Sequence, residues 1–100
     1  MPVGIRQDLL RIAQEAISNA LRYAKSTAIS VNLQSNPQNL ILKVKDNGRG
    51  ITTEAETREG FGFANMRARV KKLKGTLDIR TAPGRGTSII VRVPFKQELG

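Results

Sequence analysis

The spacing of apolar residues switches between helical and strand periods along this chain, and the order of the switches restricts the folds open to it. Residues 6–24 repeat apolar side chains at three- and four-residue steps. Leu9, Ala13, Ala16, Ile17, Ala20 and Leu21 form one stripe, and alanine content favours a helix. Residues 28–34 change to period two, with Ile29, Val31 and Leu33 alternating with Ser30, Asn32 and Gln34. Ser35–Asn39 has turn composition, and Leu40–Lys45 reads as a second strand forming an antiparallel hairpin with the first. Residues 46–62 have no period and contain four glycines. An irregular stretch of that length in a small domain is usually functional or disordered. Phe63, Met66, Val70 and Leu73 then mark a second helix over 63–74, with Gly75 suited to its C-terminal cap. Strands over Thr76–Thr81 and Thr87–Val93 flank a Pro83-Gly84-Arg85-Gly86 turn. The order predicts an α+β fold (an α/β sandwich): a mostly antiparallel, mixed sheet covered on one face by helices.

Composition narrows the chemistry. One hundred residues make a single domain, 1–100, large enough for a core of aliphatic side chains. The absence of Cys excludes disulfides and thiolate metal sites. The absence of His excludes Ser-His nucleophile pairs, imidazole-bound zinc and a phosphorylated His within this sequence. The net charge of +9 points to an anionic partner, such as nucleic acid, a lipid surface or a nucleotide. No stretch resembles a leader or a membrane span, so a cytoplasmic domain is expected.

Four segments carry candidate chemistry. Glu15 and Asn19 lie one helical turn apart, with Arg22 and Tyr23 continuing that edge. Taken alone, the pair reads first as a solvated polar stripe opposite the core. Functionally, it is a potential general base beside an amide oxygen suited to Mg²⁺. Asp46-Asn47-Gly48-Arg49-Gly50-Ile51 follows an apolar strand. No strand follows directly to complete a hairpin, and the glycines permit a flat ligand to approach backbone. Asp46 is placed to accept hydrogen bonds from an exocyclic amine. Glu59-Gly60-Phe61-Gly62-Phe63 leads into the second helix, whose free N–H groups and dipole favour phosphate. It lacks the spacing of a dinucleotide fingerprint or a phosphate-binding GxxxxGK[ST] loop. Gly84-Arg85-Gly86-Thr87 taken alone is a plain turn. Five cations between Arg67 and Lys74 come without interleaved aromatics, which argues against base stacking.

Together and in order, these segments resemble the ATP-binding catalytic domain of sensor histidine kinases. Gln14–Ala24 is similar to the family's N box, Asp46–Ile51 to its G1 box, Gly60–Arg69 to its G2 box, and Gly84–Thr87 to its closing Gly-Thr element. The match covers residues 8–94. The short spacer between the glycine boxes and Met66-Arg67-Ala68-Arg69 resemble kinases that signal to LuxR-type response regulators. The resemblance implies a Bergerat-type fold, shared with gyrase, chaperone and mismatch-repair ATPases. It also implies binding of ATP and Mg²⁺. Asn19 would hold Mg²⁺ at the phosphates, and Glu15 would assist the phosphoacceptor His as base or hydrogen-bond partner. Asp46 would accept the adenine amino group with support from Thr87. Gly48, Gly50 and Ile51 would shape the adenine pocket. Gly60, Gly62 and Phe63 would bring backbone to the phosphates, and Arg22 would contact phosphate. Residues 52–60 would form a lid. The family has His where this chain has Tyr23, so a cationic contact at that position is altered. The family also has a strand ahead of the N-box helix, so the chain reads as part of a larger kinase with one sheet edge bare.

The implied partners are a His-bearing dimerisation domain of the parent, with or without a membrane anchor, and a response regulator. No direct nucleic-acid contact is expected. Three rivals remain open on sequence: an anti-sigma-type Ser kinase, a nucleotide-gated conformational ATPase, and a basic nucleic-acid-binding module. A helical His-bearing segment in the parent would favour the sensor kinase over the Ser kinase. A steep salt slope in DNA binding would favour the nucleic-acid module. With no His to accept the phosphoryl group, the chain incubated with labelled ATP should acquire no acid-labile, base-stable phosphate. Appearance of such a product would refute the reading.

Overall fold

The computed structural model describes residues 3–22, 27–48, 63–81 and 84–94. The elements run α1 (Val3–Arg22), β1 (Ile29–Ser35), β2 (Asn39–Asp46), α2 (Phe63–Lys72), β3 (Thr76–Thr81) and β4 (Thr87–Pro94). Four strands form one sheet in the order β1-β2-β4-β3. The three pairings are all antiparallel. The parallel component expected of a mixed sheet therefore does not occur among the described residues. β1 and β2 are joined by a turn in which the Asn36 Oδ1 accepts from the N–H groups of Gln38 and Asn39 at 2.9 and 2.7 Å. This is how an Asn side chain substitutes for a backbone turn bond.

Both helices lie on one face of the sheet. Leu40, Leu42 and Val44 of β2 and Ile89, Val91 and Val93 of β4 alternate inward. They pack with Leu9, Ile12, Ala13 and Ala16 of α1 and with Phe63, Met66 and Val70 of α2. Both central strands bury every second residue, as strand geometry requires. The expected stripe of α1 is rotated: Ile12 is fully buried, whereas Leu21 is 61% exposed. β1 also departs from expectation. Val31 and Leu33 are 49% and 53% exposed, because β1 is an edge strand and the first half of α1 stops short of closing over it. The remaining space is a groove of about 460 Å³ lined by residues including Leu9, Leu10, Ala13, Val31, Leu33 and Leu42.

The end of α2 shows where glycine is needed. Gly75 N–H donates to Val70 O and Lys74 N–H to Lys71 O, both at 2.9 Å, the paired bonds of a Schellman cap. The left-handed residue is Lys74, with φ of 58°, one position before the glycine expected there. Gly75 answers a different demand: a Cβ on it would lie 2.5 Å from the carbonyl oxygen of Arg92. Glycine lets the α2–β3 connection cross closely over β4.

An ion pair cluster joins the helices. Asp8 is 7% exposed, with its carboxylate 3.6 Å from Arg69 Nη1 and 3.5 Å from Lys72 Nζ. Two cations of the basic helix thus serve internal structure. Because the acid is buried and the lysine exposed, the cluster's net contribution is modest, about 1 kcal/mol. Asp8→Asn should lower the melting temperature by about 4–8 °C, the shift that ~1 kcal/mol produces in a domain of this size. A melting curve unchanged within a degree would show that the cluster carries no weight.

Candidate functional site

The site is built where β2 and β4 end side by side. Antiparallel register sets Asp46, the last residue of β2, opposite Thr87, the first of β4. Both face the helices and are buried, at 9% and 4% exposure. Asp46 Oδ1 accepts the Gly48 N–H at 2.8 Å. Its second oxygen has no donor among the described residues. The Thr87 hydroxyl lies 2.9 Å from that of Thr81 on β3, either atom donating, and Thr81 Oγ1 also reaches Gly86 O at 3.4 Å. Thr87 is therefore oriented from β3, as a neighbour of Asp46 across the sheet.

Asn47 is a residue whose part the sequence motif did not reveal. Its Oδ1 accepts the N–H groups of Thr27 and Ala28 at 3.0 and 2.9 Å, and its Nδ2 donates to Thr27 Oγ1 at 2.9 Å. Its own N–H donates to Ala28 O at 3.2 Å. Asn47 thus ties the end of β2 to the segment entering β1. The sequence signal is the Asn between Asp46 and Gly48, a residue type favoured in turns. Its partners lie some twenty positions back, beyond the reach of local turn chemistry.

Gly86 is the second such residue. Its φ is +74°, and a Cβ there would sit 2.2 Å from the carbonyl oxygen of Asp46. Only glycine allows β4 to start against the backbone of Asp46. Gly84, with φ +77°, has open space around it, so its requirement is conformational alone.

Glu15 and Asn19 project from α1. Asn19 is 8% exposed, and Glu15 is half-buried with Oε2 shielded from solvent and lacking a hydrogen-bond partner. That removes the solvated-stripe reading for this pair. A buried carboxylate oxygen without a donor is costly to maintain, and such atoms in native folds call for a functional or ligand-based explanation. Phe63 is 3% exposed and packs in the core at the start of α2. Any part it takes in binding therefore comes through position and backbone. Arg22 ends α1. Its side chain, together with Tyr23, Gly50, Ile51, Gly60, Gly62 and the expected lid at 52–60, lies outside the described residues. The groove beneath Leu10 and Val31 contains none of the site residues. No three acidic, His or Cys side chains converge into a metal cage among the described residues. A divalent cation at Asn19 would accordingly draw most of its ligands from phosphate and water.

Residues 4–97 match the family model of histidine kinase-, DNA gyrase B- and HSP90-like ATPases. The chain belongs to this family. Among its relatives, the sensor protein VraS of Staphylococcus saprophyticus is 38% identical over 98 residues, covering 98% of this chain and 28% of that protein. The chain thus spans less than a third of the length of the curated relatives it matches. The histidine kinase domain of a blue-light activated histidine kinase from Erythrobacter litoralis superposes with a TM-score of 0.79 at 24% identity, covering 94% of this chain and 46% of that one. The ATP binding domain of PrrB from Mycobacterium tuberculosis superposes at 0.72 with 22% identity, covering 91% and 69%. These two likenesses show the fold, and they bear out the α+β arrangement of helices on an antiparallel sheet. Neither the Ser-kinase nor the nucleic-acid reading gains support from these relatives.

The junction of β2 and β4 depends on the close approach of Gly86 to the backbone of Asp46. Gly86→Ala combines a left-handed φ with a backbone clash and should cost at least about 2 kcal/mol in denaturant unfolding. An alanine variant with an unchanged unfolding midpoint would refute this account of the junction.

Proposed function

We propose that this chain holds Mg-ATP for transfer of the γ-phosphoryl group to a His on a separate dimerisation domain, from which it passes to an Asp of a response regulator. The observation that carries the reading is the Asp46 carboxylate: buried, held by Gly48 N–H through one oxygen, and without a donor at the other among the described residues. A fixed acceptor of that kind selects a ligand edge that donates. Adenine offers an amino group there, whereas guanine offers a carbonyl oxygen that a carboxylate repels. Thr87 lies beside it in register and supplies a hydroxyl.

Asn19 offers an amide oxygen of the hard type that Mg²⁺ prefers. Bound Mg²⁺ would neutralise polyphosphate charge, the main requirement of phosphoryl transfer. Glu15, one turn earlier on the same helix face, keeps a shielded oxygen free to accept the proton or hydrogen bond of an incoming imidazole. The first N–H groups of α2 add donors for phosphate. Gly48 gives Asp46 its hydrogen bond, while Gly50, Ile51, Gly60, Gly62, Arg22 and Tyr23 are proposed to complete the adenine pocket and the phosphate side. We assign the regulator to the LuxR type on the Met66-Arg67-Ala68-Arg69 sequence.

Calorimetric titration distinguishes these roles. Mg-ATP should bind the chain more tightly than Mg-GTP, and Asp46→Asn should abolish that preference. Equal binding of both nucleotides to the unsubstituted chain would remove Asp46 as the adenine reader. Asn19→Ala should weaken the Mg²⁺-dependent part of ATP binding by about tenfold or more, equivalent to ~1.4 kcal/mol, and leave adenosine binding unchanged.

A further inference from the structure

The sheet has a second face, and no described helix covers it. Residues paired across antiparallel strands share a face, so the register lines up Lys45 with Ser88 and Arg80, Lys43 with Ile90 and Asp78, and Ile41 with Arg92. Lys43, Lys45, Arg80 and Arg92 are all exposed, and Asp78 is the one acid among these outward positions. Asp78 is already engaged by Arg80, with Nε donating at 2.9 Å. Lys43, Lys45 and Arg92 have no ion pair among the described residues. Across all four strands this face carries no aromatic side chain. Ile41 and Ile90 lie half-buried between the cations.

We propose that this uncovered face is a docking surface for an anionic lipid bilayer. The excess of cations without an ion pair among the described residues is complementary to an anionic partner. Nucleic acid is disfavoured because the face has no aromatic platform on which successive bases could stack. A specific protein interface normally places aromatic anchors in pockets at its centre, and this face has none to offer. A headgroup layer needs neither. It is fluid and adapts to long, flexible cationic stems, each contributing independently at short range. Asp46 and Thr87 point to the opposite face, so a chain lying on a bilayer this way keeps its nucleotide site open.

Vesicle sedimentation tests the proposal on the 100-residue chain. The chain should sediment with phosphatidylcholine vesicles containing about a third phosphatidylserine and stay in solution with phosphatidylcholine alone. Raising salt from about 0.1 to 1 M should release it, because the screening length falls from about 10 to 3 Å. Lys43→Glu with Lys45→Glu should reduce partitioning by at least about tenfold. Lys71→Glu with Lys74→Glu makes the same change in net charge on α2 and its cap, and should reduce it less than about threefold. Arg92→Glu provides an independent variant on the sheet face, and circular dichroism melting confirms that each variant folds. Failure to bind the anionic vesicles, or equal losses in the two double variants, would overturn the proposal. So would tighter binding to polyglutamate or single-stranded DNA that is itself lost in the Lys43/Lys45 variant, since that would give the face to an acidic protein or a nucleic acid.

Discussion

The pairing of β2 with β4 is the constraint on which the rest of this structure depends. These strands are distant in sequence and central in the sheet. Their inward residues make most of the sheet's contribution to the core, and their adjoining ends make the site. Gly86 permits the last step of that pairing, because any side chain there would collide with the Asp46 carbonyl. Core and site therefore share one set of backbone hydrogen bonds. The acceptor at Asp46 is positioned by the sheet, the most rigid element available, rather than by loop geometry.

Polar residues hold the periphery in a similar economy of means. Asn47 satisfies two backbone donors of the segment entering β1 while it closes β2. Asp8 gathers Arg69 and Lys72 and so ties α1 to α2. Thr81 orients Thr87. Two buried atoms are exceptions, with no hydrogen-bond partner among the described residues: Arg69 Nε and Glu15 Oε2. Local rules of sequence and structure tend to be broken at functional positions, and the latter atom lies one turn from buried Asn19.

The two faces of the sheet divide the molecule's charge. The covered face buries aliphatics and presents an acid at its end, suited to a donor edge. The open face displays Lys43, Lys45 and Arg92 without an ion pair among the described residues. Three of the 17 cations, whose excess in sequence suggested nucleic acid among other anions, are paired within the fold: Arg69 and Lys72 with Asp8, and Arg80 with Asp78.

Element order and type were legible in the sequence because they rest on local periods. The change from 3.6 to two marks the α1–β1 boundary, and strict alternation makes the central strands plain. Candidate motif residues could be nominated too, because few residue types suit an amine acceptor, a hard-metal ligand or a tight turn. Burial was less legible. Val31 and Leu33 alternate like half-buried residues and are exposed, since a strand's period does not say whether a neighbour lies beside it. Leu21 belongs to the apolar stripe of α1 and is exposed, whereas Ile12 is buried, because the helix's rotation is set by what it packs against. By itself, the sequence determined the α+β order and the family, and it nominated the candidate site residues. Only the tertiary structure decided that Asp46 meets Thr87, that Gly75 is glycine for space rather than for φ, and that Asn47 is a staple. Each of those depends on atoms far apart in the chain, brought into contact by β-sheet register that no local pattern encodes.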